Sequence, residues 1–214
     1  MDSMLTLLHD PGMYPGDPET NRQTLDFFLR LIEMKNSKLY QHCCQVANYA
    51  MSIAAKLGLP REELERIRVA ALLHDIGQLT VPNAIITKMP YVTPREATTY
   101  KSHCNAGSYM LENIPCFQEI IPYIRYHHER WDGKGYPKRL KGVNIPLGAR
   151  ILAVANHYDR FINPCTQNWV KTKSEAVQEL LSLSGMAFDP EVVKAFVHAL
   201  GRDAEQAATV YRRI

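Results

Sequence analysis

Separate helical stretches of this chain each continue an apolar stripe with a histidine, and that pattern restricts the fold more than any other. Val46, Tyr49, Ala50, Ile53 and Leu57 recur at helical spacing, and His42 lies four residues before Val46 on the same face. Leu64, Ile67, Ala70 and Ala71 are continued by His74, with Asp75 next. Tyr100, His103, Gly107 and Met110 share a face, where a glycine one turn after the histidine permits close helix approach. Ile120, Ile121 and Ile124 lead to the pair His127-His128. Neighbours on a helix project about 100° apart, so such a pair at a helix end reaches two nearby points. One histidine on an apolar face is more often a hydrogen-bonded core residue than a ligand. Five of them with an aspartate would each need a separate buried partner unless a metal took that place.

Punctuation between these stretches sets the element order. Asp17-Pro18-Glu19 and Asp189-Pro190-Glu191 read as helix starts, each a capping acid followed by proline at the first position. Thr93-Pro94-Arg95-Glu96 fits a capping box. Ser37 and Ser174 are the expected caps of two further helices, the first closing at Gly58 and the second near Gly185. The remaining helices are expected over about Pro60–Asp75, from Thr93 through Met110, from Pro115 to the histidine pair, over Leu147–Phe161, and from Asp189 through Leu200. Residues 78–92 read as loop or a short helical turn. Met34, Met51, Met110 and Met186 read as core filler. No strand alternation, internal repeat or low-complexity tract is present, so the expected fold class is all-α, a helical bundle with a metal site in its core.

Composition narrows the partners. The chain has 214 residues, 46% hydrophobic and 22% charged, with a net charge of +3. That is a soluble, globular balance without the concentrated basic face of a protein that binds nucleic-acid polymers. It suits a small anionic substrate. Five cysteines without a C-x-x-C spacing argue against a disulfide framework and for reduced thiols in the cytoplasm. No leader segment and no membrane span are expected, because no run approaches about 20 apolar residues.

Imidazole with carboxylate suits iron, manganese, nickel or zinc. Asp75 has two oxygens and could bridge two ions. Two such ions about 3.5–4 Å apart activate a water and stabilise the attacking and leaving oxygens of a phosphoester. Leu73-His74-Asp75-Ile76-Gly77, His103 with Gly107, His127-His128-Glu129 and Asp132-Gly133-Lys134-Gly135-Tyr136-Pro137 together resemble the HD-GYP family, a subgroup of the HD-domain metal phosphohydrolases. The resemblance runs over residues 36–200, leaving a lead-in and helix at 1–35 and a tail at 201–214. It implies an HD-domain bundle with an iron or manganese centre, dinuclear here, that hydrolyses cyclic di-GMP to pGpG or GMP. The implied metal ligands are His42, His74, Asp75, His103, His127, His128 and Asn156. Asp75 and Gln78 take the catalytic positions. Gly133, Lys134, Gly135, Tyr136 and Pro137 would lie beside the nucleotide, with Arg160 and Lys171 available to a phosphate.

The chain departs from the family pattern at named positions. Gln78 stands where the family has a lysine, and Asn156 where it has its last aspartate ligand. Lys38 occupies the position of a glutamate in trinuclear members, so a third metal is not expected. His157, one residue after Asn156, turns about 100° away and is not expected to replace it. These departures keep a second reading open: a degenerate relative that binds metal, nucleotide or a regulatory protein partner with little catalysis. Trp131 and Tyr136 would either stack on a guanine or brace the loop. Lys134 and Lys138-Arg139-Leu140-Lys141 are either a solvated surface or an anion funnel.

Overall fold

The computed structural model describes residues 15–88, 91–163 and 171–201. Among them the chain is helical, with a single isolated bridge between Ser184 and Phe188. The order is α1 (Pro18–Lys35), α2 (Ser37–Lys56), α3 (Arg61–Leu73), a 3₁₀ turn (Ile76–Thr80), α4 (Asn83–Ile86), α5 (Pro94–Lys101) and α6 (His103–Leu111). A 3₁₀ segment (Pro115–Ile120), α7 (Ile121–Tyr126), a 3₁₀ turn (Gly142–Asn144), α8 (Leu147–Ile162), α9 (Lys173–Ser182) and α10 (Pro190–Leu200) complete it.

The expected caps at Asp17, Thr93 and Asp189 form. Asp17 accepts from the Thr20 amide at 2.8 Å, and both halves of the Thr93–Glu96 box are made. Asp189 accepts from the Glu191 amide at 2.9 Å and from Arg150 Nη1 at 2.5 Å, tying the start of α10 to α8. Two caps shift. Asn36, not Ser37, accepts from the amides of Lys38 and Leu39, and Thr172, not Ser174, makes a capping box with Glu175. In each case the other polar residue lies within the first helical turn, where its side chain cannot reach back.

Three expected helices are broken. The stretch after Pro60 leaves α-geometry at Leu73, and Asp75 heads a 3₁₀ turn. The run from Thr93 divides at Ser102, so His103 is the first residue of α6. The run from Pro115 is 3₁₀ before it is α, because Pro122 has no N–H and is accommodated only in a first turn. The first two breaks fall beside His74 and Asp75 and beside His103.

α2 packs against α1, α3, α8 and α10. The core joins Leu25 and Ile32 of α1, Val46 and Ile53 of α2, Ile67 of α3, Val154 and Tyr158 of α8, and Phe196 of α10. Tyr49, Tyr158 and Phe196 meet edge to face with centroids 4.9–5.7 Å apart. Each large apolar side chain buried in this way contributes about 1.5–3 kcal/mol. The methionine expectation fails in part: Met34 is 83% and Met186 49% exposed. Met34 stands two residues beyond Ile32, on the opposite side of α1, and Met186 lies in the turn after Gly185. The tail after Gly201 and residues 1–14 lie outside the described residues.

Candidate metal centre

Three histidines of the site are held by the backbone one turn before them. Nδ1 of His74, His103 and His127 lies 2.7 Å from the carbonyl oxygen of Ala71, Tyr100 and Ile124. A carbonyl only accepts, so Nδ1 carries the proton and Nε2 presents a lone pair. His42 is fixed differently: its Nδ1 donates to Asp159 Oδ2 at 2.5 Å, from one helix to another.

The four Nε2 atoms converge on Asp75. His42 and His74 approach its Oδ2 at 3.9 and 3.3 Å, and His103 and His127 its Oδ1 at 3.1 and 3.8 Å. His128 joins them, its ring 4.1 Å from that of His127 and 5.2 Å from that of His103. His74 Nε2, Asp75 Oδ1, His127 Nε2 and His128 Nε2 are buried without a hydrogen-bond partner. Imidazole nitrogens thus face carboxylate oxygens in a buried cluster, an arrangement that a cation between them would satisfy.

Protons supply part of that charge in the metal-free cluster. Burial alone would lower His74 and His103, but Asp75 outweighs it and raises both. Burial alone would raise the Asp75 carboxyl; His74 and His103 outweigh it and hold it well below the usual range. Burial, with His74 adding to it, lowers His127 to about 3, and burial with His127 lowers His128 far below an ordinary histidine. Neutral imidazoles and an ionised carboxylate are the protonation states that bind metals. The donors form two groups, His42-His74-Asp75 and His103-Cys104-His127-His128, with ligand atoms in each within 4.8 Å of one another. Their nitrogen, carboxylate and thiol chemistry fits transition-metal cations.

The loop after His128 closes over this cluster. Glu129, 3% exposed, accepts from the amides of Lys138 at 2.6 Å and Leu140 at 3.0 Å. Gly133 has a positive φ of 80°. A Cβ on Gly135 would lie 2.4 Å from Arg130 N and 2.6 Å from His128 O, so only glycine allows the chain to fold back there. Tyr136 stacks on His128 with centroids 4.8 Å apart, and the Lys101 ammonium sits 5.3 Å from the centre of the Tyr136 ring. Tyr136–Pro137 is a cis peptide. Trp131 donates its amide to Ala187 O and lies 5.8 Å from the Arg150 guanidinium, so its contacts brace the loop. Glu129→Ala removes the carboxylate that accepts from both amides. It is expected to lower the unfolding free energy by about 2 kcal/mol, as read by urea denaturation.

Residues 26–192 match the HD domain family. The chain belongs to the HD-domain family. A cyclic di-GMP phosphodiesterase of Thermotoga maritima is 34% identical over 89% of this chain and 51% of that protein. The 3′3′-cGAMP-specific phosphodiesterase 2 of Vibrio cholerae is 29% identical over 82% of this chain and 34% of that protein. The chain therefore spans about half the length, or less, of these curated relatives. A solved HD-GYP protein, Bd1817 from Bdellovibrio bacteriovorus, shares the fold with a TM-score of 0.67 at 20% identity, over 94% of this chain and 70% of that one.

The remaining positions of the HD-GYP pattern divide. Asn156 is 3% exposed on α8 and its Oδ1 has no hydrogen-bond partner. Gln78 is buried one turn past Asp75, its amide bonded to Asp75 O at 2.9 Å. Arg160 donates to the Tyr100 hydroxyl at 3.3 Å, and its charge acts on Asp75 and Tyr136. The Lys171 ammonium instead lies 4.4 Å from the Phe161 ring centre and 3.5 Å from Glu179 Oε2. Lys134 is exposed on the loop. His157 packs against Phe161 and Phe188 at 4.5 and 4.9 Å, and burial lowers it to about 4. Two residues escaped the sequence reading. Asp159 lies three positions after Asn156, a helical spacing that signalled a shared face; Cys104 follows His103 with no periodic signal at all.

Proposed function

We propose that this HD-domain protein is a metal-dependent phosphodiesterase that hydrolyses cyclic di-GMP to pGpG, GMP or both. The observation that carries this is the convergence of four Nε2 lone pairs on the two oxygens of a buried Asp75. His42, His74, Asp75, His103, His127, His128 and Asn156 would hold a dinuclear iron or manganese centre. When bound, such a centre supplies Lewis-acid activation of water and of the phosphoryl oxygens. Asp159 keeps His42 in the tautomer that offers Nε2, a role that strengthens a ligand's basicity. Asp75 supplies the negative charge around which the imidazoles are arranged. Arg160, with Tyr100 orienting it, provides a fixed positive charge for a phosphate oxygen. Gln78 can donate a hydrogen bond there but adds no charge. Gly133, Lys134, Gly135, Tyr136 and Pro137 form the wall beside the nucleotide, with the Tyr136 ring stacked on His128. Lys171 would reach a phosphate only by leaving Glu179. No helix among the described residues is long and apolar enough to cross a membrane, and we place the protein in the cytoplasm.

A second reading is favoured by Asn156 and Gln78: a regulator that binds the nucleotide or a protein partner with little turnover. Anaerobic purification, metal analysis and incubation with cyclic di-GMP and with 3′3′-cGAMP in ferrous or manganous ion separate the two. The expected result is pGpG, GMP or both from cyclic di-GMP. A metal-filled protein that yields no product from either nucleotide favours the regulator. The pair Asn156→Asp and Gln78→Lys is expected to raise turnover at least about tenfold, the scale of one added charged contact in a dry site.

A further inference from the structure

The metal-centre reading leaves a deficit of negative charge. Asp75 is the one carboxylate on which the imidazole Nε2 atoms converge, and the HD-GYP aspartate of α8 is replaced by neutral Asn156. Next to His103 stands Cys104, fully buried. Its Sγ is 3.6 Å from His103 Nε2. That sulfur and one ring nitrogen each of His103, His127 and His128 all lie within 4.8 Å of one another. The nitrogens left without a partner in His127 and His128 are their Nε2 atoms, and His127 is 1% exposed. Three imidazoles and a thiol at these separations form a donor set of the kind that holds a transition metal. No other described cysteine belongs to such a group.

We propose that Cys104 is an additional, anionic ligand of the metal centre, on the side of His103, His127 and His128, and that it makes good the charge missing at Asn156. The proposal rests on the metal-centre reading above. On ligation the S–H bond breaks, the sulfur electron pair binds the cation and the proton passes to solvent. A thiolate is softer than a carboxylate, so this ligand biases the centre towards iron or zinc and away from manganese.

The test is cobalt(II) added to the metal-free full chain, with cobalt per chain measured alongside the near-ultraviolet sulfur-to-cobalt charge-transfer absorption. The wild-type protein and Cys43→Ser are expected to show the band in proportion to bound cobalt. Cys104→Ser and Cys104→Ala are expected to bind cobalt through their histidines and to lack the band. Cobalt bound to the wild-type chain without the band, or a band that survives in Cys104→Ser, overturns the sulfur ligand and leaves the metal centre standing. A band lost in Cys43→Ser and kept in Cys104→Ala assigns the sulfur to Cys43 and overturns the proposal. A wild-type chain that binds no cobalt overturns the metal centre and this ligand together.

Discussion

Asp75→Asn is expected to lower turnover of cyclic di-GMP by about 10³-fold, the scale of removing a preorganised charged group from a dry site, and to strip the protein of metal. The fold should survive. Asp75 is 2% exposed and its two oxygens face four imidazoles. Asparagine keeps that volume but leaves His42, His74, His103, His127 and His128 as a set of neutral donors. Without the carboxylate, the charge that gathers cations at the cluster is gone. The same change removes a carboxylate that His74 and His103 hold well below its usual range, a charge that stabilises the metal-free fold at neutral pH. The asparagine amide can donate to one of the Nε2 atoms left unsatisfied, which offsets only part of that loss. The melting temperature of the metal-free variant should therefore fall below that of the metal-free wild type, and the stabilisation gained on adding metal disappears. Metal analysis and calorimetry on the same samples check both halves. Wild-type metal content in Asp75→Asn would show that the carboxylate does not organise the centre.

The histidines were legible because burial and chemistry pull in opposite directions. An imidazole that continues an apolar stripe stands out, and five did so at four separate elements. The starts of α1, α5 and α10 were legible from their caps, since Asp17, Thr93 and Asp189 each act through a local hydrogen bond that needs no tertiary context. The breaks at Leu73 and Ser102 were not legible. Apolar periodicity continues through both, and what replaces the α-geometry is contact between the 3₁₀ turn and α6, a pairing of residues far apart in sequence. The capping shifts at Asn36 and Thr172 had a similar cause at smaller scale: two polar residues competed, and backbone geometry chose between them. Asp159 could have been found from its spacing to Asn156. Cys104 could not, because its place depends on how α6 meets the end of α7.

That meeting of the turn and α6 sets the second large effect. Gly77→Ala is expected to cost about 3 kcal/mol of unfolding free energy, at the upper end for overpacking a closed interior. A Cβ at Gly77 would lie 1.9 Å from His103 O and 2.6 Å from Gly107 N. Both are backbone atoms within α6, so no side chain can rotate away to make room. The loss of glycine's unfolded-state entropy favours the variant by about 0.4–1 kcal/mol, too little to offset the overlap. Gly107→Ala is the milder comparison, because its nearest contacts are at 3.2 Å and one is the flexible Ile76 side chain. The order of midpoints in urea should be wild type, then Gly107→Ala, then Gly77→Ala. Any relaxation in Gly77→Ala must move α6 away from the turn, and that displacement opens the 3.1 Å approach of His103 to Asp75. Metal affinity should fall with stability in this variant. A Gly77→Ala protein that unfolds at the wild-type midpoint would mean that the turn is not wedged against α6, and that His103 is held at Asp75 by some other contact.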